Sequence, residues 1–208
     1  YIENKLAQGM PAIAVSIRDG ILVFTYRRQA RKIFEIYDRL IFAAVGQQSD
    51  IESLRMGAVD FTHQEGYNRS EEDVTIQRVV TALSAGVKKA FGDFGASPIV
   101  ARSVFGEVGP DRDSDLFYVL DFDGDFHTSR HFAVATGTEK AAEAILEKLK
   151  GLKPSTKPEK AVEALKDIWA AGLEEGDSVP EGFTPEAVLL SRRTDLENRF
   201  RVLIREEV

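Results

Sequence analysis

Apolar and polar positions divide the chain into blocks of two periods. Residues 12–18 and 21–26 are apolar, β-branched runs hinged on Asp19-Gly20, a strong hairpin signal in a short sequence. Residues 32–37 and 40–46 repeat the pattern across Asp38-Arg39, so four consecutive strands open the fold. The period then changes. Ser49, followed three residues later by Glu52, reads as a capping box, and Ile51, Leu54, Ala58, Val59 and Phe61 follow at helical spacing until about Gly66. A second helix is predicted over residues 73–91, with Val74, Ile76, Val79, Val80, Leu83, Val87 and Phe91 on its apolar face.

Strands return at residues 98–107 and 115–121, separated by Gly109-Pro110-Asp111-Arg112-Asp113, and again at 132–137 after Asp123-Gly124-Asp125. Thr138 caps a helix over 139–150, Pro154 and Pro158 punctuate a connector, and residues 159–172 show helical spacing again. Strands at 187–192 and 200–204 close the chain. The order is strands, two helices, strands, two helices, strands, joined by hairpins rather than alternating βα units. It predicts an α+β fold: a four-layer αββα sandwich of two antiparallel sheets, in one domain spanning residues 1–208. Strands covered on both faces alternate only weakly, as these do.

Composition narrows the chemistry. With 208 residues, 43% hydrophobic and 29% charged, the chain can bury a core without staples. It has no cysteine, which removes disulfides, thiolate metal sites and thiol nucleophiles and suits a reducing cytoplasm. A formal charge of -7 without a basic stripe argues against nucleic acid as a partner, and no apolar run is long enough for a membrane helix. No signal-peptide pattern is present.

Several local features read as ordinary structure, and no cofactor or metal is expected. Asp121, Asp123 and Asp125 surround Gly124 but lack the bidentate glutamate of a calcium loop, so they form a turn. His127 and His131 bracket a strand end and do not share a helix face. Gly106-Glu107-Val108-Gly109 opens no helix and makes a poor phosphate cradle. Arg27, Arg28 and Arg31 read as a solvated turn, with an inter-subunit ion pair as the alternative.

Three stretches carry a resemblance to a known family. The first runs Arg31-Lys32-Ile33-Phe34-Glu35-Ile36-Tyr37-Asp38-Arg39-Leu40 and on to Ala43-Ala44-Val45-Gly46. The second is Leu54-Arg55-Met56-Gly57 with Gly66-Tyr67, and the third is Phe200-Arg201-Val202-Leu203 with Glu206-Glu207-Val208. Together with the element order they resemble the proteasome family and its N-terminal-nucleophile hydrolase fold, on the bacterial α-type side of the 20S core particle. Residues 1–9 resemble the end of the extra N-terminal helix of α-type subunits.

The resemblance implies where catalysis would sit. Active members expose a threonine at the start of the first strand, whose hydroxyl is activated by the freed α-amine and a lysine. Counting back from Asp19-Gly20 places Met10 there, Tyr26 at the family's acidic position and Lys32 at the lysine, while Thr136 maps to a supporting serine. A thioether has no nucleophilic proton to lose, so Met10, Tyr26 and Lys32 read as a degenerate site.

The implied role is a non-catalytic subunit of a heptameric ring of identical copies, with contacts expected along residues 51–64 and around Lys32. It would scaffold catalytic β-type subunits, gate the entry of unfolded polypeptides and dock an ATPase activator, with Lys32 as candidate holder of the activator's C-terminal carboxylate. Lys32 also admits the reading of a strand-edge lysine. Two other functions stay open: a peptidase of this fold whose nucleophile is Ser16 or Thr25, and a free-standing binding protein.

Overall fold

A computed structural model describes residues 1–205, so Glu206-Glu207-Val208 of the third resembling stretch lie outside the described residues. One sheet contains β1 (Ala12–Ile17), β2 (Gly20–Arg27), β8 (Phe132–Ala135), β9 (Thr184–Ser191) and β10 (Phe200–Val202), in the order β10-β9-β2-β1-β8. The other contains β3 (Ile33–Tyr37), β4 (Leu40–Gly46), β5 (Ala101–Glu107), β6 (Leu116–Leu120) and β7 (Phe126–Ser129), in chain order. All pairings are antiparallel.

Between the sheets lie Ala12, Ala14, Ala43, Ala133 and Ala135 with Ile21, Val23, Val104 and Phe117. Small side chains facing large ones let the two sheets interdigitate. The outer faces are equally apolar. Phe42, Phe105 and Leu120 pack against α2 (Gln48–Asn68) and α3 (Ile76–Gly92), while Ile13, Leu22, Phe24 and Leu189 pack against α4 (Glu139–Leu149) and α5 (Pro158–Ala170). The α+β, four-layer sandwich read from the sequence is the observed architecture. Among the described residues no helix is long and apolar enough to cross a membrane.

Several boundaries differ from the expectation for physical reasons. Ser49 does not cap α2. The N-cap is Gln47, in extended conformation, whose N–H donates to Val100 O at 2.7 Å while Asp50 Oδ2 accepts from Val100 N at 2.9 Å. The residue entering β5 therefore anchors the helix start, and Glu52 turns aside to pair with Arg55. The helix continues past Gly66 to Asn68. α3 begins at Ile76 behind a Thr75 cap, because a separate 3-10 turn takes up Glu71–Asp73. β7 went unpredicted because its residues are mostly exposed and give no apolar alternation. β9 starts three residues before its apolar run, since pairing with β2 carries the ladder out to Arg27 and Thr184. The Asp123-Gly124-Asp125 turn is as expected, with Gly124 at φ 87°.

Two features hold the ends of the sandwich. At one end Asp115 has no solvent exposure and receives both Arg192 guanidinium nitrogens (2.6 and 2.9 Å), the Ser16 hydroxyl (2.7 Å) and Gly109 N–H (2.8 Å). Arg192 also donates to the Ile17, Arg18 and Gly109 carbonyls, so the cluster stitches one sheet to the other. At the other end a short helix, α1 (Ile2–Leu6), lies across the sheet ends with Leu6 buried. It fits because Gly137 has no side chain: a Cβ there would stand 2.0 Å from Leu6 O.

Both features generate predictions. Arg192→Met strands a buried carboxylate and should lower unfolding free energy by about 3–5 kcal/mol in urea denaturation; a loss within ~0.5 kcal/mol would show that the cluster does not tie the sheets. Gly137→Ala should lift α1, seen as faster amide exchange across residues 2–6, and unchanged protection there would refute the close packing.

Candidate functional site

The end of the sandwich under α1 gathers the residues that the sequence singled out. β2 alternates strictly, and that parity decides what meets what. Ile21 and Val23 point between the sheets, and Thr25 continues that side. Leu22 and Phe24 point toward α5, and Tyr26 with them. The Tyr26 ring meets Trp169 edge-on with centroids 4.5 Å apart, and burial pushes its phenol above the usual value. Tyr26 thus faces away from Lys32, and the side chain that meets Lys32 is Thr25.

Lys32 enters this end just ahead of β3. Its Nζ donates to Met10 O at 2.7 Å and to Thr25 Oγ1 at 3.1 Å. Thr25 Oγ1 in turn donates to Pro11 O at 2.8 Å, a carbonyl that also accepts the Trp169 indole N–H at 2.7 Å. The Thr25 proton is therefore committed to a carbonyl, and its hydroxyl is fully buried. Met10 contributes its main chain to Lys32 while its side chain packs with the α5 layer. The hydroxyl beside the Lys32 ammonium is that of Thr25, which lies inside β2.

Burial draws the Lys32 ammonium down to about 8, an effect partly offset by the nearby Glu186 carboxylate. Glu186, which the sequence reading did not single out, anchors the segment. It accepts N–H bonds from Lys32 (3.1 Å) and Ile33 (3.0 Å) and pairs with Arg27 Nε at 3.3 Å. Desolvation raises its pKa, while those two N–H groups and then Arg27 and Arg31 pull it back down. An acidic residue immediately before the apolar run of β9 was the only hint available in the sequence.

A cleft of about 230 Å³ opens over Lys32, lined also by Met10, Arg27, Arg28, Gly46 and Gln48. Gly46 adopts φ 140°, a conformation that favours glycine, and a Cβ there would stand 2.2 Å from Val100 O. Arg28 stacks over the Phe183 ring at 5.0 Å. Arg27, Arg28 and Lys32 thus border one small cleft, with Arg27 already paired to Glu186.

The remaining candidates have other partners. Ser16 is at the opposite end of β1, buried against Asp115. Thr136 is buried next to Gly137, and its hydroxyl donates to Thr138 O at 2.7 Å. His131, at φ 70°, lies 3.8 Å from Asp113, and among the described residues no group of His, Asp and Glu forms a metal cluster.

The family model described as "Proteasome subunit" matches residues 8–184. The proteasome subunit alpha of Thermobifida fusca is 33% identical over 148 residues, covering 70% of this chain and 59% of that protein. That of Thermomonospora curvata is 33% identical over 148 residues, covering 70% and 64%, and that of Frankia alni 33% over 139 residues, covering 66% and 57%. The chain thus spans about three-fifths of the length of the curated relatives it matches. With its fold, its Lys32 segment and these matches taken together, the chain belongs to the proteasome subunit family.

Proposed function

We propose that the chain is a non-catalytic, α-type ring subunit that scaffolds catalytic β-type subunits in the cytoplasm and docks an ATPase activator at the Lys32 cleft. The observation that carries this reading is the combination of Met10 at the start of the first strand with a lysine held under a cation-bordered cleft. A nucleophile is missing where family chemistry requires one, while the lysine persists in a setting suited to binding. The curated relatives, all named proteasome subunit alpha, point the same way.

The chemistry of docking follows from the electrostatics. A C-terminal carboxylate entering the cleft meets Lys32 with Arg27 and Arg28 beside it, and each charge-assisted contact is worth ~1.5–3 kcal/mol. Substrate polypeptide would pass along the ring axis, with entry gated by the N-terminal segments. A peptidase working through Ser16 or Thr25 finds no support, because both hydroxyls are buried inside strands and committed to other partners.

Two measurements test the proposal. A peptide from the ATPase C-terminus should bind the assembled particle, and amidating its terminus or introducing Lys32→Met should each weaken binding by about tenfold or more. Because the Lys32 proton is lost as pH rises through about 8, affinity should also fall from pH 7 to pH 9. Equal affinity for the acid and amide peptides would remove the docking role. The purified chain alone should hydrolyse no peptide, and turnover blocked by a threonine-directed inhibitor would overturn the non-catalytic assignment.

A further inference from the structure

The Lys32 nitrogen is held on two sides and free on a third. Its Nζ has two acceptors, Met10 O at 2.7 Å and Thr25 Oγ1 at 3.1 Å. The Thr25 hydroxyl donates to Pro11 O, so toward Lys32 it only accepts. As a free amine, Lys32 would spend both hydrogens on these two oxygens and keep its lone pair for the third direction. No further hydrogen-bond acceptor for Nζ is present among the described residues, and Lys32 itself lines the cleft of about 230 Å³. A nucleophilic nitrogen thus borders a small opening.

The charged groups around it decide what that nitrogen can become. They are Arg27 from β2, Arg28 and Arg31 from the crossing to β3, and Glu186 from β9, while Gln8, Met10, Gly46 and Gln48 bring no charge to the cleft. Glu186 is taken up by Arg27 and by the Lys32 and Ile33 N–H groups. Arg28 is exposed, lies over the Phe183 ring and pairs with no carboxylate among the described residues. Burial, the largest influence on Lys32, draws its ammonium down to about 8 against a smaller opposing pull from Glu186. At about pH 8 roughly half of Lys32 is then free amine, roughly a hundredfold more than an ordinary exposed lysine offers.

We propose that Lys32 is a modification site at which the amine adds dissolved carbon dioxide to form a carbamate, with the exposed Arg28 of the cleft as its countercharge. The nitrogen lone pair forms the N–C bond, one C=O π pair moves onto oxygen, and the proton displaced from nitrogen leaves to water. No oxidant, reductant or leaving group is needed. The remaining N–H keeps a donor for Met10 O. Carbon dioxide is favoured over a larger carbonyl compound because it is small and uncharged and yields an anion, and an anion alone gains from the guanidinium. The modification stands apart from the docking role, but its consequence rests on that reading. A cation becomes an anion and takes up Arg28, so carbamate and activator carboxylate exclude one another.

The chain, alone and co-assembled with a β-type subunit, is equilibrated with isotope-labelled bicarbonate. Carbamates are fixed by ethyl transfer from a trialkyloxonium salt, and each lysine is read by peptide mass spectrometry. At about pH 8 the label should exceed that on the exposed Lys140 and Lys153 at least tenfold, and at fixed dissolved carbon dioxide it should fall at least tenfold by about pH 6. Arg28→Gln should lower the label while leaving reductive methylation of Lys32, which reports the free amine, unchanged. Equal label on Lys32 and the exposed lysines would overturn the proposal, as would fast methylation of Lys32 without labelled carbamate. Activator-peptide affinity should fall when carbon dioxide is added at constant pH and ionic strength, and the fall should vanish in Lys32→Arg. Carbamate at Lys32 without peptide binding under any condition would remove the docking role and support the modification, whereas tight peptide binding without carbamate would do the reverse.

Discussion

Each central strand of this protein is apolar on both faces, and burying both at once is the constraint from which the architecture follows. Ala12, Ala14 and Val23 need a partner sheet, while Ile13, Leu22 and Phe24, one residue out of phase, need helices. The second sheet repeats the demand with Ala43 and Val104 on one side and Phe42 and Phe105 on the other. Only a stack of helices, sheet, sheet and helices satisfies all four faces. At roughly 25 cal/mol for each square ångström of apolar area, this burial outweighs any single polar contact in the molecule.

What apolar layers do not specify is how the two sheets align, because hydrophobic contact is non-directional. Polar groups at the ends of β1 supply that direction. At one end the Asp115 carboxylate is saturated by Arg192, Ser16 and a main-chain N–H, so a sliding of the sheets would break several bonds to a buried charge. At the other, the Pro11 carbonyl accepts one hydrogen bond from Thr25 and another from Trp169, while Lys32 reaches from the second sheet to Met10. The first end is closed and structural. The second opens into a cation-lined cleft, and the binding role proposed for the molecule collects there.

At the Lys32 end the polar groups are engaged with one another. Nucleophilic catalysis in this fold asks for a hydroxyl with a mobile proton next to a base. Here the nearest hydroxyl, Thr25, donates its hydrogen bond to the Pro11 carbonyl, and the lysine is engaged by two oxygens. Glu186 meanwhile grips the main chain at Lys32 and Ile33, holding the lysine in place without supplying a base to a nucleophile.

The split between what was legible and what was not follows the range of the interactions involved. Hairpins at Asp19-Gly20 and Asp38-Arg39, the Thr138 cap and the four-layer order were readable because they depend on neighbours within a few residues. The methionine near the first strand and the missing cysteine were readable as plain identities. Counting along the chain nevertheless set Tyr26 against Lys32, whereas the pleat of β2, pinned by its pairing with β1 and β9, presents Thr25. The Ser49 cap failed because residues from β5 hold the helix start. Glu186 and the Asp115–Arg192 pair were invisible because their partners lie 154 and 77 positions away. The order of elements and the presence of a methionine just before the first strand were thus written in the sequence by itself, in local periodicity and single residue identities. Which side chain faces the lysine and that burial lowers its pKa were decided only by the tertiary structure, because each depends on groups that folding brings together from distant parts of the chain.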